Sequence, residues 1–267
     1  MPEISRDGVR IYFDDVGSGP PVVLGHSLLC SGEMWGPQVP ALAERYRVIN
    51  VDQRGHGRSG HLTEPFDLYD MVDDVVAVLD ELGIDHAVWA GLSIGGMVAM
   101  RAAMTVPDRV SGLILVDTHA GAETGYKKLK YRAMGAGARL FGTRPFLPGI
   151  VPLMFGPTTR RLKPELVDEW REKFASLHVP SLNLVVAAVI RRDSVIDRLG
   201  EIKAPTCVIV GGEDETLPVV CSRKIAAAIP GATLEIVPGA GHLSSLEQPD
   251  AVTEAMVGFL DEVHTRP

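Results

Sequence analysis

Cysteine is scarce in this 267-residue chain, and Cys30, Cys207 and Cys221 are an odd number without C-x-x-C spacing. That excludes a disulfide framework and a zinc cage, and the three read as small buried or partly buried thiols. Long hydrophobic runs are missing too. Although 46% of the residues are hydrophobic, Pro, Gly or a charge interrupts every apolar stretch before the ~18–20 residues that a membrane-spanning helix needs, so no membrane partner is expected. The opening Met1-Pro2-Glu3-Ile4-Ser5-Arg6-Asp7 lacks the apolar segment and cleavage site of a secretory signal, which points to the cytoplasm. Positive charge is in deficit, with 26 Lys plus Arg against 34 Asp plus Glu and a net charge of -8. Binding to nucleic acid, which needs cations facing phosphate, is excluded.

What is present is an alternation of strands and helices. Residues 8–16 alternate with period two and end at Gly17-Ser18-Gly19-Pro20-Pro21, the pattern of an edge strand and turn. Val22–Gly25 and Val48–Val51 are short apolar runs suited to strands buried on both faces of a parallel sheet. A helical segment over 35–46 lies between them. From Asp67 to Leu82 the apolar residues fall three or four apart, which predicts an amphipathic helix with Asp67 as N-cap and Gly83 as its stop. A strand over 87–90, a helix over 93–105 and a strand over 110–116 continue the alternation. It breaks at Thr118 and resumes at Thr206 with a strand over 207–210, a helix over 219–228, a strand over 233–237 and a closing helix over 249–264. The implied fold class is α/β, with a mostly parallel, doubly wound sheet.

The interrupting stretch shows helical segments over 127–141, 164–176 and 181–191, separated by prolines. Its charge is distinctive as well. Residues 120–200 hold 14 Lys plus Arg against 7 Asp plus Glu, a net of +7, while the remainder carries -15. The expected organisation is a core formed by 1–119 and 201–267, with a helical cap inserted over 120–200.

Gly91-Leu92-Ser93-Ile94-Gly95 fits the G-x-S-x-G pattern. A pattern this short also arises by chance, and Ser93 could be a mere N-cap. Here, however, it follows an apolar strand and opens a helix, so the flanking glycines allow the sharp turn that exposes a nucleophilic Oγ at the sheet edge. A serine nucleophile needs a base, and the base needs a carboxylate to orient it. His242, in Gly239-Ala240-Gly241-His242, follows the last strand and can supply the base. Asp214, in the loop after the strand ending at Val210, can supply the carboxylate, with Asp117 at the end of another strand as the alternative. Gly25-His26-Ser27-Leu28 ends the first buried strand on the same edge. The backbone N–H groups of Leu28 and Ile94 are therefore candidate oxyanion donors, while the side chain of His26 is expected to staple its loop.

Ser93 in its elbow, Asp214 in G-x-x-D-x-x-x-P, His242 in G-x-G-H and the run Asp52-Gln53-Arg54-Gly55-His56-Gly57-Arg58-Ser59 together resemble the α/β-hydrolase superfamily over essentially the whole chain. Residues 34–42 and 91–97 are similar to those of 3-oxoadipate enol-lactonases and small carboxylesterases. The chain departs from enol-lactonases at His26, where they usually carry a small polar residue. It departs from esterases and non-haem haloperoxidases at Ser27, where those commonly have Gly.

The resemblance implies the α/β-hydrolase fold and a serine hydrolase acting on a small-molecule ester or lactone. Ser93 would be the nucleophile, His242 the base and Asp214 the acid, with no metal or organic cofactor. A homo-oligomer stays open. The same triad would also serve a cofactor-free haloperoxidase or perhydrolase, or a ligand-sensing receptor with a nearly idle triad. The basic cap suggests attraction of a carboxylate-bearing substrate, although solvated helix faces account for the same charges.

Overall fold

The computed structural model describes residues 2–265; Met1, Arg266 and Pro267, the ends of the expected core segments, lie outside them. Eight strands form one sheet: β1 (Glu3–Arg6), β2 (Val9–Val16), β3 (Pro21–Gly25), β4 (Arg47–Asp52), β5 (Ala87–Leu92), β6 (Val110–Val116), β7 (Thr206–Gly211) and β8 (Thr233–Val237). Their spatial order is β1-β2-β4-β3-β5-β6-β7-β8. β2 runs antiparallel to both β1 and β4, and every pairing from β4 to β8 is parallel. The sheet is thus mostly parallel, as the alternation of elements implied.

Every residue of β5 and β7 is buried, because helices cover both faces of a parallel sheet. Alternate strand residues accordingly enter opposite cores. Val23, Trp89, Leu113 and Val208 pack with α2 (Leu68–Glu81) and α3 (Ile94–Thr105). On the other face Leu24, Val88, Ile114 and Ile209 pack with Val252, Met256 and Leu260 of the closing helix. The N-terminus of α2 is fixed as its sequence predicts. Asp67 accepts from the N–H groups of Tyr69 and Asp70 while the Asp70 carboxylate accepts from the N–H of Asp67, a reciprocal capping box.

The segment over 35–46 is less regular than expected, a 3-10 turn (Gly32–Trp35) followed by the short α1 (Val39–Ala43). Between β6 and β7 the described chain contains helices and no strand. They are α4 (Gly125–Phe141), α5 (Leu147–Met154), α6 (Pro157–Leu162), α7 (Pro164–Ala175) and α8 (Val179–Arg191). After β7 come α9 (Val219–Ala228), α10 (Ser244–Glu247) and α11 (Pro249–Thr265). Among the described residues no single helix is long and apolar enough to cross a membrane.

The chain passes from β3 to β4 on one side and returns to β5 on the other, so the carboxyl ends of β3 and β5 flank the point where the winding reverses. In open parallel sheets that is where ligands bind.

Candidate active site

Ser93 sits between β5 and α3 with φ 55° and ψ -111°, a conformation that costs a non-glycine residue about 1–3 kcal/mol. Surrounding bonds hold it there. Its N–H donates to the Val116 carbonyl at 2.9 Å, and its own carbonyl accepts from Thr118 Oγ1 at 2.6 Å and from the Met97 N–H at 3.0 Å. Close backbone approach makes the turn possible. A Cβ on Gly95 would lie 2.3 Å from the Gly25 carbonyl oxygen, and one on Gly91 would lie 2.2 Å from the Gly95 carbonyl carbon. Those glycines let β3, β5 and α3 converge beneath the serine. The Ser93 side chain makes no capping bond to α3, which removes the reading of Ser93 as a plain N-cap.

Two loops bring the other predicted residues together. His242, in the loop after β8, donates from Nδ1 to Asp214 Oδ2 at 2.8 Å, and both side chains are buried. The second Asp214 oxygen, Oδ1, accepts from the N–H groups of Thr216 at 2.8 Å and Leu217 at 2.9 Å. Burial alone would raise the Asp214 carboxyl, but the neighbouring imidazole and these N–H groups outweigh it and hold the acid below its ordinary range. For His242 burial pushes downward, while the charge and hydrogen bond of Asp214 prevail and raise the imidazole above its usual value. With Nδ1–H committed to Asp214, Nε2 is left to accept a proton.

Asp117, the alternative acid, makes no such bond to His242. Its Oδ1 accepts from the Gly211 N–H at 2.7 Å and its Oδ2 from the Ser244 hydroxyl. Burial and the charge of Asp214 push its carboxyl well above the usual range. It therefore ties the end of β6 to the loop carrying Asp214 and to the one carrying His242.

His26 has the stapling place expected of it. Its Nε2 accepts from the Gln53 N–H at 2.9 Å, which fixes the proton on Nδ1, 2.8 Å from the Ser27 carbonyl, and Gln53 Nε2 returns a bond to the His26 carbonyl at 2.7 Å. Burial lowers its pKa and favours the neutral ring this pattern requires. The loop thus pinned carries Leu28. Among the described residues the N–H groups of Leu28 and Ile94 have no acceptor, so both remain free to donate to a ligand.

Ser93, His242, Leu28 and Ile94 line one cavity of about 170 Å³. Its other walls are mostly apolar, among them Met97, Phe146, Ile150 and Leu182. Glu123, Lys127 and Arg192 add charge to its lining, and Arg192 is buried against Glu123 at 3.3 Å. No group of three or more metal-ligating side chains occurs among the described residues.

Sequence reasoning missed two supports of the His242 loop. One is Ser244. The other is Glu247, fully buried, whose carboxylate accepts from the N–H groups of Gly156 at 2.9 Å and Leu243 at 3.1 Å. Neither carries a local signal, because a Ser-Ser-Leu-Glu stretch reads as an exposed turn until the neighbouring backbone is known.

The chain is similar to several known proteins over nearly its whole length. A putative carbamate hydrolase RutD of Caulobacter sp. (strain K31) is 32% identical over 255 residues, 90% of either chain. The solved structure of a thermophilic esterase from Thermogutta terrifontis is 30% identical and superposes with a TM-score of 0.94, covering 99% of this chain and 100% of that one. The enol-lactonase from Burkholderia xenovorans LB400 is 28% identical with a TM-score of 0.91, covering 97% and 100%. The sequence signature of the alpha/beta hydrolase fold matches residues 20–249, and with the sheet order and the serine turn described above, the chain belongs to the alpha/beta hydrolase family.

Proposed function

We propose that this protein is a serine hydrolase that cleaves a carboxylic ester or lactone through an acyl-enzyme intermediate. The observation that carries the reading is the buried 2.8 Å bond from His242 to Asp214, with His242 lining the same cavity as the strained Ser93. The names of its relatives, carbamate hydrolase, esterase and enol-lactonase, agree in the cleavage of an acyl bond.

Each residue has one task. Ser93 Oγ attacks the carbonyl carbon as His242 Nε2 takes its proton. Asp214 keeps the proton on Nδ1 and stabilises the imidazolium. Charge then develops on the former carbonyl oxygen, where the N–H groups of Leu28 and Ile94 receive it. The tetrahedral species collapses, His242 returns the proton to the leaving oxygen, and water repeats the sequence on the acyl-enzyme. The helical segment over 120–200 acts as a cap: α4, α5 and α8 contribute cavity walls that bound the acyl pocket. The core of 1–119 and 201–267 carries the chemistry.

The test is steady-state hydrolysis of p-nitrophenyl acetate, butyrate and octanoate, 3-oxoadipate enol-lactone and a simple alkyl carbamate, with Ser93→Ala as control. Turnover that disappears in the variant is the expected result, and the preferred compound identifies the acyl and leaving groups. Wild-type protein that leaves all five untouched, or a variant as fast as wild type, overturns the reading. Peroxide as the preferred acceptor would make the enzyme a perhydrolase, and a single slow acylation without turnover would make it a ligand sensor.

A further inference from the structure

Helix α4 has two opposed faces. One carries Lys127, Tyr131, Met134, Gly135 and Ala138, which line the cavity. The other carries Tyr126, Leu129, Ala133, Ala136 and Leu140, spaced alternately three and four apart. That spacing aligns them in one stripe about 20 Å long. The stripe is uncovered. Tyr126, Leu129 and Leu140 are 69–79% exposed, and α4 contains no buried residue at all.

The charges of the same helix are equally one-sided. Its 17 residues include Lys127, Lys128, Lys130, Arg132 and Arg139 and no acidic residue. Among the described residues none of the five forms an ion pair; elsewhere in the cap Arg144, Arg171, Lys173, Arg192 and Arg198 do, and Arg160, Arg161, Lys163 and Arg191, spread over α6, its end and α8, do not. Helical geometry places Lys130 on one flank of the stripe and Lys128, Arg132 and Arg139 on the other.

An apolar band flanked by cations without ion-pair partners is complementary to an anionic lipid surface, where acyl chains receive the band and phosphates the cations. A second copy of the helix would match the band but set cation against cation, with no carboxylate on either α4 to offset them. We propose that α4 is an interfacial helix that seats the protein, cap first, on an anionic phospholipid surface. The orientation follows from charge: residues 120–200 carry +7 and the remainder -15, so such a surface attracts the cap and repels the sheet. Because the inner face of α4 walls the cavity, docking brings that wall next to the phase in which apolar esters concentrate. The expectation of no membrane partner is revised accordingly, since a helix that lies on a bilayer needs no spanning length.

The test is flotation of the full-length protein with vesicles of phosphatidylcholine alone or mixed equally with phosphatidylglycerol. It stands apart from the reaction proposed above, because binding is read without turnover. Wild type is expected to float with the anionic vesicles at low salt, to be released at high salt and to ignore the neutral ones. Leu129→Glu combined with Leu140→Glu, at positions outside the cavity, should partition at least about tenfold more weakly while keeping its circular dichroism spectrum and thermal midpoint. Failure of wild type to bind anionic vesicles at low salt, or equal flotation of the double variant, would overturn the proposal. So would a lipid-free dimer that the double variant converts to monomer, because the stripe would then be a subunit interface.

Discussion

His242 is subject to two opposed influences: burial favours the neutral imidazole, and Asp214 favours the cation, with Asp214 prevailing. As the proposed general base it works when neutral, so kcat/KM should rise with pH through a midpoint above the ordinary histidine value of about 6.5. Replacing Asp214 by Asn removes the charge that raises this value and lets the amide donate to Nδ1, which leaves the proton on Nε2. The expected result is a fall in kcat of about 10³–10⁴ and a lower acid-limb midpoint, both read from pH–rate profiles with a chromogenic ester. Asp117 calls for a different outcome. Its carboxyl is raised by burial and by Asp214, so between the unfolded and the folded pKa the native state holds a proton that the unfolded chain releases. Stability from this group therefore declines as pH rises. Asp117→Asn keeps an acceptor for the Gly211 N–H and a partner for Ser244, and it should gain thermal stability relative to wild type on going from acid to mildly alkaline pH. A difference in Tm that is flat with pH would show that Asp117 is ionised in both states.

At the scale of elements, the convergence of β3, β5 and α3 is the tightest packing beneath Ser93. Gly95→Ala would drive a methyl group to 2.3 Å from the Gly25 carbonyl oxygen, which only a shift of backbone can relieve. A loss of about 2–4 kcal/mol is expected, visible as a lower urea midpoint, together with reduced acylation of Ser93. This junction was legible in the sequence because strand, glycine turn and helix each carried their own signal and all three agreed. The same holds for α2, whose period and capping residues coincide, and for α9 and β8, whose bounds match expectation to the residue. Where signals conflicted, the reading failed. β1 is four residues with none fully buried, too short to display a period. α5 and α6 were hidden by prolines read as breaks. Pro148 and Pro157 instead occupy the first turns of their helices, where a missing N–H costs nothing. Pro152 lies inside α5 itself. The residues of the candidate site were singled out through chain order and loop context. The bracing of their loops by Asp117, Ser244 and Glu247 was not, because each bond joins positions brought together only by the folded sheet.

Over the whole molecule, burial grades from the sheet outward. In α3, ten residues are buried, from Ile94 through Ala103, and its amides should open only when the whole protein unfolds. In α4, none is buried, so few apolar contacts oppose its local opening. Hydrogen exchange followed by mass spectrometry should therefore show α4 exchanging far faster than α3. The rate of α4 should depend little on urea, because local opening exposes little new surface, whereas that of α3 should follow global unfolding. The two regions are joined through the cavity, since α4 residues such as Met134 and Ala138 line it together with Ser93. A long-chain alkyl phosphonate attached to Ser93 would place its chain against the inner face of α4 and add the apolar contacts this helix lacks. Exchange in α4 should then slow severalfold while the β5 and β7 amides, already protected, change little. Equal slowing everywhere would indicate general stabilisation instead. No slowing in α4 would show that the acyl chain runs along another wall, and the residues assigned to the acyl pocket would have to be chosen again.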